Sequence, residues 1–143
     1  MTSDTWHATG GKSILKNIDM QEKGYKKLNV YQEAHKLVRS IYKATDSFPR
    51  SEIFGLTSQM RRAAVSVPAN ILEGYGREAS REFRRFLLIA QGSLVELEYY
   101  IELALDLGYL SGAQYASIEE QRKTTGALLG GLIRSVKKSL QSL

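Results

Sequence analysis

The chain has 143 residues, enough for one domain that buries a core of its own. It contains no cysteine, which excludes disulfides, thiolate metal ligands and a cysteine nucleophile, and which fits a cytoplasmic location. Its formal net charge of +5 favours an acidic partner such as nucleic acid. Uncharged runs such as 86–95 and 124–133 are too short to span a bilayer, so no membrane partner is expected.

Two regions are expected along the chain. Residues 1–27 contain Ser, Thr, Asp and a Gly-Gly pair without a sustained hydrophobic period, which predicts a flexible N-terminal tail. Residues 28–143 carry helical periods and predict one bundle domain.

The first helix is predicted over 30–44, where apolar residues recur at helical spacing. Asn29 is placed to cap this helix, with Gln32 completing a capping box. Pro49 ends the pattern, because proline lacks the backbone N–H that a helix requires.

The second helix is predicted over 52–73, with Gly74 as the first residue past its end. Its core stripe consists of Leu56, Met60, Ala63, Val67 and Ile71. Pro68 should kink this helix, because it frees the carbonyl of Ala64. We expect Ser66 or Asn70 to bond the freed backbone groups, with Asn70 buried or nearly so.

The third helix is predicted over 81–107 with Ser80 as its N-cap, and it carries two apolar faces. The first face is a core face made by Phe83, Phe86, Leu87, Ala90, Leu94, Leu97, Ile101 and Leu105. The second consists of Leu88, Val95, Tyr99 and Leu103. A helix in a monomeric bundle needs one apolar face, so the second face predicts a homo-oligomer interface. The alternative is that these are scattered surface residues.

Gly108 should end the third helix, and Ser111 with Gln114 forms a capping box before a fourth helix over 112–140. The fourth helix takes its period from Tyr115, Ile118, Thr125, Leu129, Leu132 and Val136. Gly126 and Gly130 would allow a close helix approach. Four helices with short links and no strand pattern predict an all-α, antiparallel up-down-up-down four-helix bundle.

No residue pattern indicates catalysis. A di-metal site in a bundle needs Glu-x-x-His pairs, and the chain has only His7 and His35, with no such pair. A Walker loop and a Gly-x-Ser-x-Gly elbow are also missing. The sequence therefore predicts no metal, no cofactor and no enzymatic activity.

Arginines crowd the start of the predicted third helix. The candidate nucleic-acid-binding residues are Arg77, Arg81, Arg84 and Arg85, with Arg61 and Arg62 on the second helix in support. Arginines repeated by symmetry would contact several phosphates, and Tyr75 could stack on an unpaired base. The alternative is a solvated face whose ion pairs contribute little. No recognised nucleic-acid motif is present, so sequence-specific binding is not predicted.

Several segments resemble one family. They are Phe48-Pro49, LTSQMRRAAVSVPANILEG over 56–74, FLLIAQGSLVELE over 86–98 and LGYL over 107–110. They resemble the four helix bundle proteins encoded within intervening sequences of bacterial large-subunit ribosomal RNA genes, over about residues 28–140. The resemblance implies a ring-like homopentamer. It also implies kinship with the accessory variability proteins of diversity-generating retroelements, which bind a reverse transcriptase and RNA.

Two functions from different classes follow. The first is a non-catalytic RNA- or DNA-binding adaptor, with a reverse transcriptase as a further partner. The second is a structural or protein-interaction module whose positive charge is incidental. An enzyme ranks third.

Overall fold

The computed structural model describes the chain from Tyr25 to Gln141, with side chains from Asn29 onward. These residues form four helices: α1 Tyr25–Thr45, α2 Leu56–Tyr75, α3 Ser80–Asp106 and α4 Gly112–Gln141. A short 3-10 turn, Arg50–Glu52, lies between α1 and α2. No strand occurs among the described residues. The predicted all-α class and the four helices are confirmed.

The first helix begins earlier than predicted. It includes residues 25–27, which were assigned to the tail, and Asn29 lies inside it rather than capping it. Lysine and leucine at 26–28 lose little side-chain freedom in a helix, so the segment before Asn29 can continue it. The rest of the predicted tail, 1–24, lies outside the described residues.

Each helix packs against two others, in the order α1, α2, α3, α4 and back to α1. Arg62 near the start of α2 bonds Glu96 in the second half of α3, whereas Gly74 near the end of α2 lies against Phe86 near the start of α3. These two helices are therefore antiparallel. Their shared core includes the whole predicted α2 stripe, Leu56, Met60, Ala63, Val67 and Ile71, all buried.

The turn between α3 and α4 was predicted correctly. Gly108 has a φ of 80°, and the N–H of Tyr109 donates to the carbonyl of Ala104 at 2.9 Å, which is the six-residue bond that closes a helix at a left-handed glycine. Ser111 and Gln114 then exchange hydrogen bonds of 2.9 and 3.1 Å as a capping box. These signals are local, so the sequence alone determines them.

Three predicted helix ends are wrong. Glu52 does not begin α2, because Gly55 interrupts the helical dihedrals and the helix starts at Leu56. Ser80 is the first residue of α3, and no side chain caps that helix. Gly74 lies within α2, where a Cβ would come within 2.8 Å of the Phe86 Cβ. Gly74 is required by the close contact between two helices, not by a turn.

The polar side chains around Pro68 form a small network. The amide of Asn70 donates to the carbonyl of Ser66 at 2.8 Å and to its hydroxyl at 3.0 Å. The Ser66 hydroxyl lies 2.7 Å from that of Ser93 on α3. Asn70 is hydrogen-bonded, as expected, but it is half-buried rather than buried, and its backbone partner is the carbonyl of Ser66 rather than that of Ala64. The kink at Pro68 stays a prediction.

Gly126 and Gly130 of α4 were predicted to allow a close helix approach, and only Gly126 faces another helix. A Cβ at Gly126 would touch Leu94 of α3 at 3.4 Å, but one at Gly130 would meet Arg134 of α4 itself. Within residues 25–141, none of the helices is both long and apolar enough to cross a membrane.

Candidate nucleic-acid interface

Four arginines surround the turn between α2 and α3, and we call them the basic cluster. They are Arg77, Arg81, Arg84 and Arg85. Packing fixes two of the four guanidinium groups around one ring: Arg77 lies 5.2 Å and Arg85 4.7 Å from the centroid of the Phe86 ring. Such cation–π contacts hold a cation over an aromatic face. The sequence prediction that these four residues converge is consistent with this turn.

Acidic neighbours pair with part of the basic cluster. Arg77 makes a loose ion pair with Glu73 at 3.4 Å, and Arg85 makes two hydrogen bonds of 3.2 Å to Glu82. The hydrogen bonds from Arg85 lower the pKa of the Glu82 carboxyl, and Glu82 in turn raises the pKa of Arg85. All four side chains are largely exposed, so the pairs exchange readily with another anion.

The other two arginines of the basic cluster have no acidic partner in the described part of the chain. Arg81 is exposed and makes no hydrogen bond there. Arg84 is half-buried, and its Nε atom is shielded from solvent without a hydrogen-bond acceptor. Buried donors are normally paired, so the Arg84 Nε atom is an unsatisfied donor at this end of the bundle.

The position of the basic cluster on α3 is electrostatically unfavourable for the free bundle. A helix N-terminus carries about half a positive charge, which favours acidic and disfavours basic side chains. Arg81, Arg84 and Arg85 lie in the first two turns of α3, and only Glu82 opposes them within the first turn. The positive potential at this end is therefore not explained by helix stability.

Arg61 and Arg62 lie away from the basic cluster. Arg61 donates to the Thr45 hydroxyl at 2.8 Å and lies 4.6 Å from the centroid of the Tyr42 ring, at the end of α1. At 1.5 Å per residue, Arg61 lies about 21 Å along the helix from the end of α2 at Tyr75, and Arg77 lies beyond that end. Arg61 and Arg62 were expected to support the basic cluster, but nearly four turns of α2 separate them from it.

Arg62 belongs to a network that joins α2 to α3. Its guanidinium bonds the Glu96 carboxylate at 2.6 Å, and the Tyr100 hydroxyl donates to the same oxygen atom at 2.7 Å. The Tyr100 hydrogen bond, followed by that of Arg62, lowers the pKa of Glu96. The pKa of Tyr100 is raised, chiefly by its hydrogen bond to Glu96. Arg62 thus takes part in a contact between α2 and α3.

The sequence reasoning overlooked basic residues near the end of α4. Arg122 bonds Glu98 and Gly126 faces Leu94, so α4 runs antiparallel to α3. Continuing this register brings the last turns of α4 beside the first turns of α3. The basic residues there are Arg134, Lys137 and Lys138. The bundle topology was the signal that could have identified them, because it returns α4 to the α2–α3 end.

Tyr75 is not free to stack on a base. Its half-buried ring packs edge-on against Phe83, with centroids 6.1 Å apart. Among the described residues, no group of three or more histidine, aspartate or glutamate side chains is arranged to hold a metal ion.

The predicted interface residues separate into two groups. Leu88, Val95 and Tyr99 lie on the outside of α3 and are 37%, 62% and 60% exposed. We call these three the uncovered face. Leu103 is half-buried and packs against the core of its own chain, so it lies at the margin of this face. Leu88, Val95 and Tyr99 are seven and four residues apart, so they share one side of α3. Their exposure shows that this side faces away from the core.

The fold and the site together define a four-helix protein with a basic end and an apolar face that its own chain leaves uncovered. Residues 26–131 match the 23S rRNA-intervening sequence protein family, and the chain belongs to this family. The sequence-based recognition of the family is confirmed. No curated protein matches the chain.

A solved structure is similar over most of the chain. It is the crystal structure of a protein with unknown function from the S23 ribosomal protein family, from Bacteroides thetaiotaomicron VPI-5482. The identity is 26% and the TM-score 0.69, with 76% of this chain and 98% of that chain covered.

Proposed function

We propose that the protein is a non-catalytic, cytoplasmic RNA-binding adaptor, built as a ring-like homo-oligomer of up-down-up-down bundles. The pentamer implied by the family resemblance is the assembly we adopt. The observation that carries the proposal is Arg81, which lies in the first turn of α3 without an acidic partner in the described chain, beside the other arginines of the basic cluster. A helix N-terminus disfavours positive charge. An arginine at that position therefore needs a reason other than helix stability, and a bound anion supplies one.

RNA is the polyanion that fits best. The family is named for intervening sequences of 23S rRNA, and the similar structure is assigned to a ribosomal protein family. Guanidinium groups bind phosphate through two parallel hydrogen bonds, which suits a backbone contact without base recognition. Because the Tyr75 ring is packed, we assign binding to the arginines and not to stacking.

The symmetry of the ring would raise the affinity for RNA above that of a single chain. Each chain contributes a few phosphate contacts, and a ring repeats them at fixed spacing, so one RNA can engage several chains. Binding of this kind weakens steeply as the salt concentration rises, because each neutralised phosphate releases condensed counterions. A reverse transcriptase is the further partner in this proposal, since the retroelement accessory proteins that the chain resembles bind one together with RNA.

Filter binding of a labelled, structured RNA at two salt concentrations tests the proposal. We expect the wild type to bind at low salt, and Arg81→Ala/Arg85→Ala to reduce both the affinity and the salt slope. The matched control is Arg39→Ala/Lys43→Ala, which removes the same charge from the exposed surface of α1. Equal losses in the two variants would show that net charge alone binds RNA.

One observation favours the second function, a protein-interaction module. The uncovered face would suit a protein partner as well as a further copy of the chain. A wild type that binds neither RNA nor DNA at low salt would leave this function in place of the first.

A further inference from the structure

The uncovered face contains a gap. Leu88, Gly92, Val95 and Tyr99 follow one another at spacings of four, three and four, so Gly92 lies in the middle of the face. A glycine inside a helix destabilises it by about 0.5–1 kcal/mol relative to alanine. A Cβ at Gly92 would meet no atom within 4 Å, so no contact within the chain requires glycine there. The missing side chain leaves a notch between Leu88 and Val95.

A second apolar feature projects from the connection between α1 and α2. Phe54 is 95% exposed and Ile53 is 51% exposed. The connection is held firmly, since one carboxylate oxygen of Glu52 accepts the N–H of Leu56 at 3.1 Å and the other accepts the Tyr109 hydroxyl at 2.9 Å. The backbone beside Phe54 is therefore held in place, and the Phe54 ring projects from it into solvent.

The ring and the notch cannot meet within one chain. Glu52 anchors the connection to Tyr109, beyond the end of α3. That end, at Asp106, lies about 21 Å of helix rise from Gly92. A contact between the two features must therefore join two copies.

The charges beside the two features are opposite. Arg50 precedes Phe54 on the same connection, and Glu102 follows Tyr99 on the side of α3 that carries the uncovered face. Both side chains are exposed, and neither makes an ion pair within the described part of the chain. Arg85, on the same side of α3 and seven residues before Gly92, is paired with Glu82, which leaves Glu102 as an unpaired charge beside the far end of the uncovered face. An exposed Arg50 on a second copy would complement that charge.

We propose that Phe54 of one copy inserts into the notch over Gly92 of a second copy, between Leu88 and Val95, with Arg50 directed towards Glu102. Because the two surfaces differ, each chain uses its ring on one neighbour and its notch on the other. Such a contact passes from chain to chain and does not stop at a dimer, and it forms the proposed ring when the rotation between neighbours closes. The inference rests on the assembly in the proposed function, and its test is made without RNA.

Sedimentation velocity of three variants tests the contact. Phe54→Ser removes the ring, Gly92→Leu fills the notch, and Gly92→Ala fills it partly. We expect each variant to dissociate at concentrations where the wild type is assembled. Thermal unfolding of the separated chains should show that they remain folded, and Gly92→Ala should be more stable than the wild-type chain, since alanine is the better helix former. The matched control is Leu72→Ser, which changes an exposed leucine on α2 and should leave the assembly intact.

Mixing provides the sharpest test. Phe54→Ser retains its notch and Gly92→Leu retains its ring, so an equal mixture should form one contact per pair and sediment as two chains. Arg50→Glu should weaken the assembly at least tenfold, and Glu102→Arg added to it should restore it. Variants that assemble like the wild type would overturn the inference while leaving the RNA-binding proposal untouched. A wild type that stays a 16.0 kDa monomer would also contradict it.

Discussion

Gly74 of α2 lies so close to Phe86 of α3 that a Cβ at position 74 would come within 2.8 Å of the Phe86 Cβ. The same phenylalanine ring carries the guanidinium groups of Arg77 and Arg85. The close approach of the two helices therefore determines where two arginines of the basic cluster lie. Packing and the candidate site are connected through this one ring.

Gly74→Ala should destabilise the bundle. Overpacking a core contact costs about 1–3 kcal/mol, and alanine returns at most about 1 kcal/mol of helix propensity. Urea unfolding should therefore show a net loss of about 1–2 kcal/mol if the overpacking cost lies in the middle or upper part of that range. Gly131→Ala is the control, because the nearest atom to its Cβ would be the flexible end of Arg134 at 3.8 Å, and it should stabilise. A Gly74→Ala protein as stable as the control would show that the helices separate easily.

Asn70→Ala should lower the free energy of unfolding by about 1 kcal/mol. This value is at the lower end of the range for losing a half-buried hydrogen-bond donor. The reason for the small value is that the Ser66 hydroxyl keeps its 2.7 Å contact with Ser93. Urea unfolding of this variant and of a control, Gln91→Ala, measures the difference in the free energy of unfolding. The control removes an exposed amide from α3. If both substitutions leave the free energy of unfolding unchanged, the network at Pro68 does not stabilise the bundle.

The Glu96 network should make stability depend on pH in the acidic range. The pKa of Glu96 is lowered from an ordinary value of 4.5, so its contribution is present above that pH and is lost as the pH falls through the lowered pKa. The carboxyl is 40% exposed, which keeps the contribution to about 1 kcal/mol or less.

Unfolding measured from neutral pH down to about pH 3 should therefore show a shallower pH dependence in Glu96→Gln than in the wild type. Glu120→Gln is the control, because its carboxylate is exposed and makes no ion pair in the described chain. Equal pH dependence in all three proteins would mean that Arg62 and Tyr100 do not hold Glu96 ionised.

Some features that depend on neighbouring residues were predictable from the sequence, although the caps at Asn29 and Ser80 were not, and features that depend on distant contacts were missed. Gly108 and the Ser111–Gln114 box were predicted correctly, because turn and cap chemistry involves residues a few positions apart. Gly74 was misread as a helix end, because its partner Phe86 lies on another helix.

The candidate site shows the same division. The basic cluster could be predicted, since its members are near one another in sequence. Arg61 could not be excluded, because only the structure shows its bond to Thr45. Phe54 and Gly92 attract no notice in the sequence, since exposure and an empty Cβ position are properties of the folded chain.

The most direct test of the proposed function is sedimentation velocity of a labelled, structured RNA with the protein at low and at high salt. We predict that at low salt the RNA sediments with an assembly several times the 16.0 kDa chain mass, and that high salt releases the RNA while the protein stays assembled. RNA that sediments alone at low salt, beside a 16.0 kDa monomer, would contradict both the assembly and the binding.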